Sequence, residues 1–241
     1  MFHNTHAYLA SKIYQSEDTL LIIGSILPDI AVTKVIKWEG GLHGFDRCKD
    51  FEKFIQGYEP DYMNLYKGIY AHNIVDDITH KNYIGGVGYA YQNNHELVGL
   101  VKRLYGLDED RAKGVAHNYI ESAVDILLLE KYPKVQQLLR NAANSIDKEY
   151  IAELLSEYFR LNKEDLEINL NKFLDLFTKY DFKDQISWVR FWEDLEKLLS
   201  LKSLTSEQRG EILITALNSV KLTYEDFLSY TIIKGHKLLN P

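Results

Sequence analysis

The sequence predicts an all-α fold, on three observations. Apolar residues recur at three-to-four spacing in segment after segment, no stretch alternates apolar and polar residues as a β-hairpin would, and only 4 prolines and 14 glycines interrupt the 241 residues. An apolar fraction of 46% and a charged fraction of 26% fit a packed chain rather than a disordered one. A chain of this length buries a substantial core, so one helical domain over residues 1–241 is expected, with a boundary near residue 140 as the alternative.

The elements follow in order. Residues 4–15 form a helix through Ala7, Tyr8, Leu9, Ala10 and Ile13, with Asn4 or Thr5 as its cap. A second helix starts near Ser16, carries Glu17 and Asp18 in its first turn, and is stopped by Pro28. "WEGGLHGF" reads as a glycine-rich loop, followed by a helix over 50–58 and by a long helix from Pro60 to about Ile84. "GGVGYAYQNN" reads as a turn; its glycines lack the Lys-Ser or Lys-Thr of a phosphate-binding loop. Helices resume over 94–105 and 108–131, separated by Gly106 and ended by Pro133. Six amphipathic segments complete the chain; Thr205 with Gln208 makes a capping box, and Asn162 caps the helix after it. At least ten helices are expected.

Charge and cysteine usage narrow the function. A formal charge of -7 gives no broad positive footprint for a phosphate backbone, so no obligate nucleic-acid partner is expected. Cys48 is the only cysteine, which forbids an intrachain disulfide and makes a cytoplasmic location the default expectation. The apolar run "LLIIGSIL" is too short to span a bilayer, while a peripheral membrane contact stays compatible with the sequence. Cys48 itself reads as a packed residue.

The histidines concentrate in the first half: seven of the eight lie within the first 117 residues. His72, Asp76 and His80 recur every four residues on the long helix and so share one face. His72 and His80 are about 12 Å apart along an ideal helix, too far to ligate one ion, so two ions are the natural solution with Asp76 between them. His117 and Glu121 repeat the four-residue spacing on another helix. Asp29 follows the helix-breaking Pro28, His43 sits in the glycine-rich loop, and His6 comes from the first helix, which makes each of them a plausible ligand. His3 reads as a surface histidine.

The ordered set His6, Asp29, His43, His72-x-x-x-Asp76, His80 and His117-x-x-x-Glu121 resembles the zinc-dependent phospholipase C and S1/P1 nuclease superfamily, over roughly residues 1–125. That resemblance implies a multi-helical phospholipase C/P1 nuclease-like fold and a centre of two or three zinc ions. It places Asp29, His43, His72 and Asp76 on one ion and His80, His117 and Glu121 on a second, with His6 and bridging Asp76 contributing to a third. It further implies a phosphodiester hydrolase, phospholipase C-like, in which Asp29 is also the catalytic residue acting on a metal-bound water, and whose substrate is a phospholipid or small phosphodiester. An S1/P1-like nuclease is the alternative within the superfamily. Outside it stands a non-catalytic, metal-stabilised binding or structural protein.

Overall fold

The computed structural model describes residues 3–239 of the chain. Among these residues there are thirteen α-helices, three short 3-10 turns and no strand, so the architecture is all-α. The helices are α1 (His3–Tyr14), α2 (Thr19–Gly24), α3 (Phe45–Tyr58), α4 (Met63–His80), α5 (Tyr89–Asn93), α6 (His95–Tyr105) and α7 (Glu109–Lys131). They continue as α8 (Lys134–Ser145), α9 (Lys148–Phe159), α10 (Lys163–Thr178), α11 (Gln185–Leu198), α12 (Ser206–Val220) and α13 (Tyr224–Leu239).

The caps show why the helices lie where they do. Asp108 accepts from the Arg111 N–H ahead of α7, whose first turn carries Glu109 and Asp110 and whose last carries Lys131, so both ends complement the helix dipole. Thr205 and Gln208 form the reciprocal capping box of α12, and Asn162 caps α10, both as the sequence predicts. The start of α1 is different. Neither Asn4 nor Thr5 caps it; both donate their backbone N–H to the carboxylate of Asp125, which lies 120 residues away from Thr5 in the chain.

Three further boundaries differ from expectation. After Asp18 caps α2, the helix lasts only to Gly24, and Pro28 sits in the first turn of a separate 3-10 stretch, Leu27–Thr33. Pro28 has no N–H to give an α-helix and disfavours helical backbone at the residue before it. The helix expected from residue 50 begins at Phe45, directly after Gly44 at φ +94, and its first turn already buries Cys48. Finally, α4 stops at His80 rather than Ile84, because the Asn82 N–H returns to the Asp77 carbonyl, five residues back, instead of continuing the four-residue ladder.

The chain divides into two compact units, with boundaries falling inside α1 and α4. One unit comprises residues 3–5, 74–134 and 180–239. Here α7 is the central element, packed against α5, α6 and α12, and buries Tyr119, Ile120 and Val124 along its length. Trp192 of α11 lies flat on Tyr119 with ring centroids 3.4 Å apart, and its indole N–H donates to Ser122 Oγ. A buried ion pair ties this unit further: Arg209 donates from Nε and Nη2 to the two oxygens of Glu196, and the Tyr105 hydroxyl donates to the same carboxylate.

The other unit comprises residues 6–73 and 135–179. In it α9 packs on α10, and α10 packs on the 3-10 stretch that carries Asp29. Phe51, Phe173 and Phe177 are fully buried within it. Helices α2 and α4 meet backbone to backbone: a Cβ on Gly24 would stand 2.2 Å from the Leu65 carbonyl oxygen, and one on Gly68 would stand 2.2 Å from that of Leu21. Only glycine permits this approach.

Candidate metal centre

In the unit of residues 6–73 and 135–179, the sequence brings three donors together from three elements. Asp29 is buried on its 3-10 stretch, His72 is fully buried in α4, and His43 comes from the loop before α3. Each offers a ligand atom, and the three atoms lie within 4.8 Å of one another. His43 Nε2 stands 3.5 Å from Asp29 Oδ1, and the His43 ring meets His72 edge-on with centroids 5.2 Å apart. His6 stacks on His72, its ring 4.1 Å away and nearly parallel.

Two neighbours hold these ligands in place. His72 Nδ1 lies 2.9 Å from the Ser25 carbonyl, which only accepts, so Nδ1 carries the proton and Nε2 keeps its lone pair. Asn73, the next residue on α4, fixes the loop of His43: its Nδ2 donates to the Leu42 carbonyl at 3.0 Å, and its Oδ1 accepts from the Gly44 N–H. The loop is thus tied on both sides of His43. Trp38 packs against the His43 ring with centroids 4.7 Å apart.

The unit of residues 3–5, 74–134 and 180–239 carries a second set. His80 at the end of α4 and His117 and Glu121 on α7 place their ligand atoms within 4.8 Å of one another. His80 Nε2 lies 2.9 Å and His117 Nε2 3.8 Å from the same Glu121 oxygen, Oε1. Glu121 is buried, whereas the side chains of His80 and His117 keep 26% and 19% of their surface. Burial and the neighbouring His80 push the His117 pKa down to about 3, which keeps its imidazole neutral and able to ligate. Tyr91 of α5 packs beside both rings, 6.2 Å from His80 and 5.5 Å from His117.

The remaining candidates are placed as follows. Asp76 is half-buried on α4, one turn from His72 and one from His80, and those two histidines fall in different sets. His3 is not on the surface: it is buried among Phe182, Trp188 and Phe191, with Nδ1 3.5 Å from Asp125 Oδ2. Asp125, one turn beyond Glu121 on α7, accepts from the backbone and side chains of both Asn4 and Thr5. Burial raises its pKa to about 6, against the lowering effect of those four hydrogen bonds.

Sequence reasoning missed Ser25, Asn73 and Asp125. Ser25 acts through its backbone, which leaves no side-chain signal. Asn73 and Asp125 do lie beside or one turn beyond a ligand, the places where supporting partners belong.

In chemical terms, each set is two imidazoles and one carboxylate. Neutral imidazole nitrogens and a carboxylate oxygen suit a divalent transition ion, and the hydrogen bond from His72 Nδ1 to a carbonyl is the usual support for a ligating histidine. Sets compatible with metal coordination are therefore present.

Comparison with protein-family models, with curated proteins and with solved structures finds no match to this chain. The resemblance to the zinc-dependent phospholipase C and S1/P1 nuclease superfamily is corrected accordingly. The fold is all-α, but the phospholipase C/P1 nuclease-like arrangement within that class is not supported. The phosphodiester hydrolase assignment falls with it, as does the phospholipase C-like activity that the resemblance implied. The physical reason is that four-residue His/Asp and His/Glu spacing arises wherever two ligands share a helix face, and so specifies a coordinating face without specifying a reaction.

Proposed function

We propose that this chain is a metal-stabilised binding protein that holds divalent ions, zinc by preference, on its two histidine and carboxylate sets. One observation carries the reading: in two places, donors distant in sequence place three ligand atoms within 4.8 Å of one another. Asp29, His43 and His72 hold one ion, and His80, His117 and Glu121 hold another. His6 stacks on His72 beside the first of these sets. Zinc fits the mix of imidazole and carboxylate, although manganese, iron and cobalt share that preference and are to be compared directly.

Several features support this reading over a purely apolar scaffold. Burying Glu121 beside two imidazoles and Asp29 beside another costs several kcal/mol unless a positive charge or a set of hydrogen bonds offsets it, as about that much is lost for each ion removed from water. A bound divalent ion supplies that charge. Three protein donors also leave coordination positions for water or a small anionic ligand, and the accessible edges of His80 and His117 provide the route.

Zinc titration of chelator-treated protein, followed by calorimetry and by the thermal midpoint, tests the proposal. Saturable binding with a rise in midpoint is expected, because an ion that binds the folded chain alone stabilises it. A midpoint unchanged by zinc, manganese, iron and cobalt would contradict it.

A further inference from the structure

A close backbone approach between α2 and α4 lies one turn from a metal-ligand candidate. Gly68 is four residues before His72 on α4, so both face the same side of that helix. A Cβ on Gly68 would stand 2.7 Å from both the Gly24 Cα and the Ser25 nitrogen, as well as 2.2 Å from the Leu21 carbonyl oxygen. Ser25 is the residue that ends α2. Its hydroxyl is turned back to the Ile22 carbonyl at 2.7 Å, and its own carbonyl points at His72 Nδ1. Ser25 and His72 are both fully buried, so no water competes for this bond.

We propose that the Gly24–Gly68 contact is a positioning device for the Asp29, His43 and His72 set. By letting the two backbones touch, it seats the Ser25 carbonyl against His72 Nδ1 and fixes the ring with Nε2 free of a proton. Gly24 and Gly68 are positioning residues: neither has a side chain to bind an ion, and they act through Ser25 and His72. The inference rests on the metal-binding reading for its purpose, while the tautomer it requires is a property of the metal-free chain.

The geometry explains why alanine is excluded at both positions. Each added methyl would meet backbone, which cannot swing aside as a side-chain tip can. The helices must then separate, and a shift of a fraction of an ångström lengthens a 2.9 Å hydrogen bond past its useful range. Losing such a partner of a ligating histidine lowers metal affinity by about 10- to 100-fold.

The test combines nitrogen-15 NMR of the histidine rings with zinc titration, on the wild type, Gly24→Ala, Gly68→Ala and Gly57→Ala. Gly57 lies in α3 with open space where its Cβ would go, so Gly57→Ala is the control for a glycine change in a helix. At a pH where the ring is neutral, metal-free wild type should show His72 protonated at Nδ1 alone. Gly24→Ala and Gly68→Ala should lose that single tautomer and about 10- to 100-fold in zinc affinity, with Gly57→Ala unchanged. A wild-type His72 protonated at Nε2, or Gly68→Ala with tautomer and affinity both intact, would overturn the proposal. If a glycine variant fails to fold, the wild-type tautomer decides. A wild type with the Nδ1 tautomer that binds no zinc overturns the metal reading instead, so the two failures are distinguishable.

Discussion

His80 Nε2 and Glu121 Oε1 stand 2.9 Å apart, joining the last residue of α4 to the middle of α7. The same oxygen faces His117 Nε2 at 3.8 Å, so one carboxylate serves two imidazoles. Glu121→Gln keeps the shape but replaces one oxygen with a donor that no metal accepts. We expect it to lower zinc content by roughly one ion per chain while leaving the Asp29, His43 and His72 set loaded, since ligand identity decides occupancy. Zinc content by mass spectrometry of the metal, with His72→Ala as the complementary variant, checks this.

The pH dependence of the metal-free chain separates two opposed groups. Asp125 has a folded pKa of about 6 against an ordinary 3.8, so its stabilising contribution is complete below pH 3.8 and is lost as pH rises through 6. That difference corresponds to about 3 kcal/mol. His117, held down to about 3, acts in the opposite sense: its contribution is complete above the ordinary value of 6.5 and is lost as pH falls toward 3. Comparing wild type with Asp125→Asn isolates the first. In chelator, the stability difference between them should move by about 3 kcal/mol between acid and neutral pH, favouring the wild type in acid; a difference that stays constant with pH would refute this.

The buried pair of Glu196 and Arg209 should respond asymmetrically. Glu196 is 1% and Arg209 3% exposed, and Nη2 donates to Oε2 at 2.7 Å. Glu196→Ala strands a buried guanidinium and is expected to cost about 3–5 kcal/mol in urea unfolding. Replacing both, Glu196→Leu with Arg209→Met, should cost less than the sum of the single changes, because no charge is left unpaired. Additive losses would show that the pair does not act as a unit.

Gly88 sets the loop after α4. A Cβ there would lie 2.1 Å from the His80 carbonyl carbon and 2.4 Å from its Cα. Gly88→Ala should therefore push α5, with Tyr91, away from the end of α4 and weaken zinc binding at His80, His117 and Glu121 by an order of magnitude, about what is lost when a ligand's support is removed. The Asp29, His43 and His72 set should bind as before. Equal loss at both sets, measured by titration of each single-site variant, would contradict the local assignment.

The sequence carried the helices well because their signals are local. The capping box at Thr205 and Gln208, the Asn162 cap, and Gly106 at φ +71 after α6 each act within a few residues of the chain. It failed where the partner is distant. Nothing near Asn4 announces that Asp125 accepts from the start of α1, and nothing near His3 announces an aromatic enclosure drawn from residues 182–191. The clustering of possible ligands was legible in part through the four-residue spacing of His72 and His80 about Asp76 and of His117 and Glu121, since a helix turns spacing into direction. No reaction was legible, because a set of donors fixes what can be bound and specifies no chemistry.

Metal content of the chain purified without chelator is the most direct test of the central claim. With zinc supplied, about two tightly held ions per chain are expected, falling by roughly one in His72→Ala and by roughly one in His117→Ala, as removal of a ligand from either set should do. Fewer than about one ion per folded chain after reconstitution, or a content unchanged in both variants, would contradict metal binding at these two sets.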